Sequence, residues 1–182
     1  KYCDEAEGEV TVPPITLRQQ DLKPEYSVQT AKTSHLYFNY GTHVSTPDEV
    51  MAKVIEGADL AFQKVIDSLN VEYKKYCDSN KFPYEKLPWK SRVMSYDELY
   101  KKVKEERGEE VDKLIEDLNK ELLDDPNVDD REFALKIVEG VHNMWSDKDP
   151  VVVVFFSPPY YPHIYVEGKS KLEEKLWNTV KR

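Results

Sequence analysis

Residues 32–69, KTSHLYFNYGTHVSTPDEVMAKVIEGADLAFQKVIDSL, decide how this chain is read. Residues 32–40 set His35, Tyr37 and Asn39 against Leu36, Phe38 and Tyr40, the period-two pattern of a half-buried strand. The strand stops at Gly41, and His43 stands in the turn that follows. Thr46 is placed to cap a helix, Pro47 suits its first position, and Glu49 completes a T-x-x-E capping box. Beyond it, Met51, Val54, Ile55, Ala58, Phe62, Val65, Ile66, Leu69, Tyr73 and Tyr76 recur at helical spacing. That predicts one long amphipathic helix with this stripe turned to the core.

On the N-terminal side, residues 1–9 are acidic and unpatterned and read as a frayed end. Residues up to 28 form short extended pieces interrupted by Pro13, Pro14 and Pro24. On the C-terminal side, residues 77–90 are a proline-containing loop, and SRVMSY is a short strand. Ser95 with Glu98 opens a helix that breaks at Gly108 and resumes through Val111, Leu114, Ile115, Leu118 and Leu122. Asp129 with Glu132 caps a further helix, whose apolar face is Phe133, Ile137, Val138, Val141 and Trp145. VVVVFF then reads as the most buried strand. Without a regular βαβ rhythm, the expected class is α+β: a small, mostly antiparallel sheet with long helices packed on one face.

Composition narrows the function classes. A chain of 182 residues fits one domain and buries a core without staples. A formal net charge of −9 argues against nucleic acid or an anionic membrane as the main partner. The two cysteines, Cys3 and Cys77, form no C-x-x-C pair, which suits a cytoplasmic location. No apolar run reaches the ~18 residues of a spanning helix. The chain starts without a methionine and stops inside the amphipathic KLWNTVKR, so the expectation is a piece of a longer protein.

A complete catalytic apparatus is not displayed. His35, His43, His142 and His163 are scattered, without H-x-D, H-E-x-x-H or H-x-x-E-H spacing, so no metal is expected in this chain. The paired acids Glu109–Glu110, Asp124–Asp125, Asp129–Asp130 and Glu173–Glu174 fall on polar helix faces or caps. No phosphate-cradling glycine loop and no G-x-S-x-G elbow occur. What stands out is His43 in its turn and the Pro/Tyr-rich segment 158–166, which contains His163.

Three segments, DLKPEYSVQTAKTSHLYFNYGTHVSTPDEVM, FPYEKLPWKSRVMSYDELY and DPVVVVFFSPPYYPHIYVEG, resemble RocB-type arginine-utilisation proteins. Those belong to the aminoacylase/carboxypeptidase family of zinc metallopeptidases (peptidase family M-twenty). The resemblance implies an inserted lid or dimerisation domain, an elaborated ferredoxin-like fold, with zinc held in a separate catalytic domain. On that reading residues 1–24 are a leading linker and extended segment, 25–166 the α+β lid, and 167–182 the start of a helix leading back to the catalytic domain. The implied partners are that catalytic domain, a second copy of the parent protein, and a small amide or peptide-like substrate. The family's lid opening maps onto Gly41, His43, Ser45 and Pro47. It makes His43 the first candidate for a substrate contact, with Asn39, Arg92 and Asn143 as further ones. The isolated chain would be inactive, though its parent would be a hydrolase. The alternatives are a free-standing interaction module using the 158–166 loop, and a self-contained enzyme assembled only by the fold.

Overall fold

A computed structural model of the chain describes all residues except 1, 7, 24, 26, 27, 162–165, 167, 181 and 182. It separates into two compact units, Lys1–Thr46 with Tyr161–Arg182, and Pro47–Tyr160. The sequence reading places its divisions at residues 24 and 166. The protein is α+β, as the patterning predicts. Among the described residues, however, the strands form three separate two-stranded ribbons rather than one sheet.

The first unit contains two antiparallel ribbons, β1 (Glu5–Ala6) with β2 (Glu9–Val10), and β3 (Ile15–Asp21) with β4 (Ser34–Asn39). Pro13 and Pro14, which lack the N–H a ladder needs, fall between β2 and β3. The β3–β4 register runs from Ile15 opposite Asn39 to Asp21 opposite Ser34, with an irregularity between Thr16 and Arg18. The expected fraying of residues 1–9 is therefore corrected: the segment pairs with itself. Its short alternation of polar and apolar residues is too brief to register as a strand pattern. A helix, α5 (Lys171–Val180), also belongs to this unit.

The second unit begins with α1 (Pro47–Asn80), starting where Thr46 and Pro47 predict. Lys81, at φ 59°, ends it, and the Phe82 N–H donates to the Cys77 carbonyl at 2.9 Å. This is the bonding of a left-handed helix cap, made here without glycine. The following loop is tied back by a buried asparagine. Asn70 Oδ1 accepts from the Leu87 N–H at 2.8 Å and the Tyr84 hydroxyl at 3.2 Å, while Nδ2 donates to the Ile66 carbonyl at 2.9 Å.

β5 (Val93–Ser95) leads into α2 (Tyr96–Arg107), where Ser95 and Glu98 make the predicted reciprocal capping box. Gly108, at φ 60° and ψ −133°, sits in a backbone region that only glycine occupies readily, and there α2 gives way to α3 (Glu110–Leu123). Asp129 caps α4 (Asp130–Met144) through the Arg131 and Glu132 N–H groups, both at 2.9 Å. β6 (Val152–Val154) then pairs parallel to β5, Val93 opposite Val152, which requires the helical crossover between them.

The core gathers Met94, Leu99, Val103, Val111, Val141 and Trp145, with Ile115, Met144 and Val153 packed against it. Two predicted core features are less buried than their sequence suggests. VVVVFF is not the most buried strand: Val152 is 37% exposed and Phe156 55%. On α1, Ile66 is buried, but Val65, Leu69, Tyr73 and Tyr76 of the predicted stripe are exposed. A helix of 34 residues extends ~50 Å, and within this unit it packs on the short β5 and β6.

Leu99→Ala, at a site fully closed to solvent, should cost about 2–5 kcal/mol. Val65→Ala on the exposed side of α1 should cost less than ~1 kcal/mol. Urea unfolding followed by circular dichroism checks both, and equal losses would contradict this division of the core.

Candidate functional site

The turn between β4 and α1 has no repeating backbone ladder to hold it. Its order comes from Asp4, some forty residues away in sequence. The Asp4 Oδ2 accepts three consecutive backbone N–H groups: His43 at 2.9 Å, Val44 at 2.9 Å and Ser45 at 2.7 Å. Successive N–H groups converging on one point make a concave anion-binding nest, and here the anion belongs to the chain itself. Asp4 is fixed in turn by Thr11. Its N–H donates to Thr11 Oγ1 at 2.8 Å, and its carbonyl accepts the Thr11 N–H at 2.8 Å. Gly41 lies against the same threonine, and a Cβ added there would stand 3.4 Å from Thr11 Cβ.

Asp4 is only 8% exposed, yet its carboxyl is held well below the usual carboxylate range. The bond from the Ser45 N–H is the strongest cause; burial opposes it, and the His43 and Val44 N–H groups add to it. Hydrogen bonds to the charged form outweigh desolvation. Nearby Tyr40 is pushed the other way, by burial first and by the charge of Asp4 second. Its buried hydroxyl has no hydrogen-bond partner among the described residues.

His43 is half-buried in this braced turn. Asn39, in the same unit, ends β4, and its Oδ1 accepts from the Ile15 N–H at 3.0 Å, closing the ribbon. Arg92 belongs to the other unit. It meets Asp147 Oδ2 at 2.7 Å, donates to the Asp149 carbonyl at 3.3 Å, and lies 4.9 Å from the centre of the Trp145 ring. This pairing depresses Asp147, with the Arg92 hydrogen bond as its main cause. Asn143 is exposed on α4, and its carbonyl accepts from Lys148. His163 and residues 162–165 of the Pro/Tyr-rich loop lie outside the described residues.

The second unit also carries an open apolar hollow of about 290 Å³ lined by Phe133, Ile137, Phe155, Phe156 and Pro158. Among the described residues no three His, Cys, Asp or Glu side chains are grouped so as to hold a metal ion, and no helix is long and apolar enough to cross a membrane. Asp4 is the residue of this turn that sequence reasoning misses. Its partners are backbone N–H groups, which carry no residue-type signature.

The chain is 31% identical over 178 residues to the uncharacterized protein YqjN of Bacillus subtilis (strain 168), and that match covers 98% of the chain. To Protein RocB of the same organism it is 29% identical over 179 residues, again 98% of the chain. The chain spans 31% of the length of each relative. No family model matches it. No solved structure matches it either. The chain is thus RocB-like along nearly its whole length.

Two outcomes follow from the braced turn. The pKa of Asp4 is lowered on folding, so its stabilising contribution is fully present above the ordinary carboxylate value of about 4. It is lost progressively as pH falls from that value to the lower folded one. Amide protection factors at His43, Val44 and Ser45 should therefore persist at about pH 4 and collapse only in stronger acid; a loss between about pH 6 and 5 would contradict the brace. His43→Ala leaves all three N–H donors in place, so stability should stay within ~1 kcal/mol of wild type in urea titrations. A loss above ~2 kcal/mol would place the imidazole in a load-carrying network instead.

Proposed function

We propose that the chain is an accessory α+β domain, of lid or dimerisation type, of a metal-dependent peptidase or amidohydrolase acting in arginine degradation. The observation that carries this reading is the match along 98% of the chain to a stretch making up 31% of Protein RocB. An accessory domain covers an active site held elsewhere and lends it contacts. In this reading His43 is the contact: an imidazole in an ordered turn donates a hydrogen bond where negative charge develops on a scissile carbonyl, or to a substrate carboxylate. Asn39 is a subsidiary contact, although its observed bond also gives it a structural task; Arg92, in the other unit, is a separate candidate that is already bonded to Asp147. The parent is a cytoplasmic homodimer whose catalytic domain holds zinc, its substrate is a small arginine-related amide, and the chain by itself is inactive.

A second reading, a free-standing interaction module, is favoured by the exposure of Tyr160 (71%) and Tyr161 (81%). Exposed tyrosines present a large amphipathic surface at low entropic cost. The length of the encoding reading frame separates the two: several hundred residues with an H-x-D motif upstream for the first, a gene of this size for the second.

Elemental analysis after zinc exposure and exhaustive dialysis tests the leading proposal directly. The expected result is little or no retained zinc. About two zinc ions per chain, the complement of a co-catalytic pair, would make the chain an enzyme in its own right and overturn the accessory role.

A further inference from the structure

We infer that Asp4 is the positioning residue for His43, so that the N-terminal hairpin is part of the substrate-facing apparatus rather than a lead-in to it. The inference rests on the reading of His43 as a substrate contact and names what aims it. Among the described residues of its unit, Asp4 is the sole buried one, and it is a carboxylate. A carboxylate withdrawn from water is tolerated only when its oxygens are satisfied, and Oδ2 is satisfied by the N–H groups of His43, Val44 and Ser45.

The geometry ties that carboxylate to the direction of one side chain. Three successive N–H vectors pointed at a single oxygen leave little freedom in the backbone angles between them. Those angles set the Cα–Cβ direction of His43, and the rotamers open to a side chain depend on them. The two hydrogen bonds between Asp4 and Thr11 anchor the aspartate main chain, so the brace is held from behind. Glycine at 41 brings the turn close to the same threonine. Hairpin, threonine, aspartate and turn form one connected unit that includes the backbone of His43. Asp4 touches no substrate in this scheme: it acts through the backbone of residues 43–45.

The test uses NMR of the chain without any ligand, so its outcome is separate from that of the zinc measurement, which bears on the accessory role itself. Amide exchange at 43–45 and the three-bond couplings that report the His43 χ1 rotamer are compared in wild type, Asp4→Ala and Asp4→Asn. In Asp4→Ala the three amides should exchange about ten- to a hundredfold faster, the range for losing charge-assisted bonds. The His43 couplings should average over rotamers, while residues 47–160 keep their spectrum. Asp4→Asn keeps a neutral acceptor and should fall between. Unchanged exchange in Asp4→Ala would overturn the inference. So would faster exchange with His43 still in one rotamer, since the turn would then loosen without re-aiming the ring. Should Asp4→Ala unfold residues 1–46, Asp4→Asn decides: wild-type exchange and couplings count against Asp4, faster exchange with averaged couplings for it.

Discussion

The complete exclusion of water from Leu99, Val103, Val111 and Val141 is the constraint on which the helical unit depends. None of its shorter parts is stable alone. A helix of 12 residues such as α2, or of 14 such as α3, is marginal in water, and a two-stranded ribbon of three-residue strands is weaker still. Burying those four side chains, with Met94 and Trp145 beside them, gives α2, α3 and α4 a common surface to lose. Gly108 makes this possible by turning the chain between α2 and α3 within a residue or two. The ion pairs from Lys104 to Glu109 and Asp112 span the same break. Glu109 lies at the surface, where its pair adds little beside the core, whereas the pair with Asp112 is partly buried.

The unit of residues 1–46 and 161–182 is built on a different balance. All of β3 is exposed, and none of the described apolar side chains of the unit is buried. Directional polar contacts therefore carry more of its definition: the β3–β4 ladder, Asn39 closing one end, and the Asp4 carboxylate under the turn. A charge-assisted hydrogen bond is roughly twice as strong as a neutral one, and three of them converge here. Ion pairing sets Arg92 in the other unit in a comparable way, because its guanidinium is stacked on Trp145 while bonded to Asp147.

How far the sequence could be read follows from which of these forces leaves a local trace. Caps do: Ser95 with Glu98 and Asp129 with Glu132 sit three residues apart, and the structure places α2 and α4 where those pairs predict. Helical periodicity does too: the stripe that starts at Met51 lies on α1 throughout. Periodicity names a face, however, not its cover, so Val65 and Leu69 look like core in the sequence and lie open in the structure. Strand pairing leaves even less. The six apolar letters of VVVVFF suit either a buried strand or a half-open one, and only three of those residues enter a ladder, in parallel with β5. His43 is visible as a histidine in a turn. The carboxylate that holds its backbone is not visible, because a bond between a side chain and distant N–H groups has neither a spacing nor a partner residue type.

That asymmetry bears on how side chains are aimed here. In a strand or helix the ladder sets where a side chain points, and a neighbour a few residues away can be exchanged without re-aiming it. In the turn holding His43 the backbone N–H groups of residues 43–45 have Asp4 as their acceptor. Direction there is a property of residues 4 and 43 together. Shortening the hairpin or neutralising its aspartate would change the aim of a histidine whose own sequence neighbourhood is intact. A segment that looks dispensable by composition thus holds the turn of His43 by geometry.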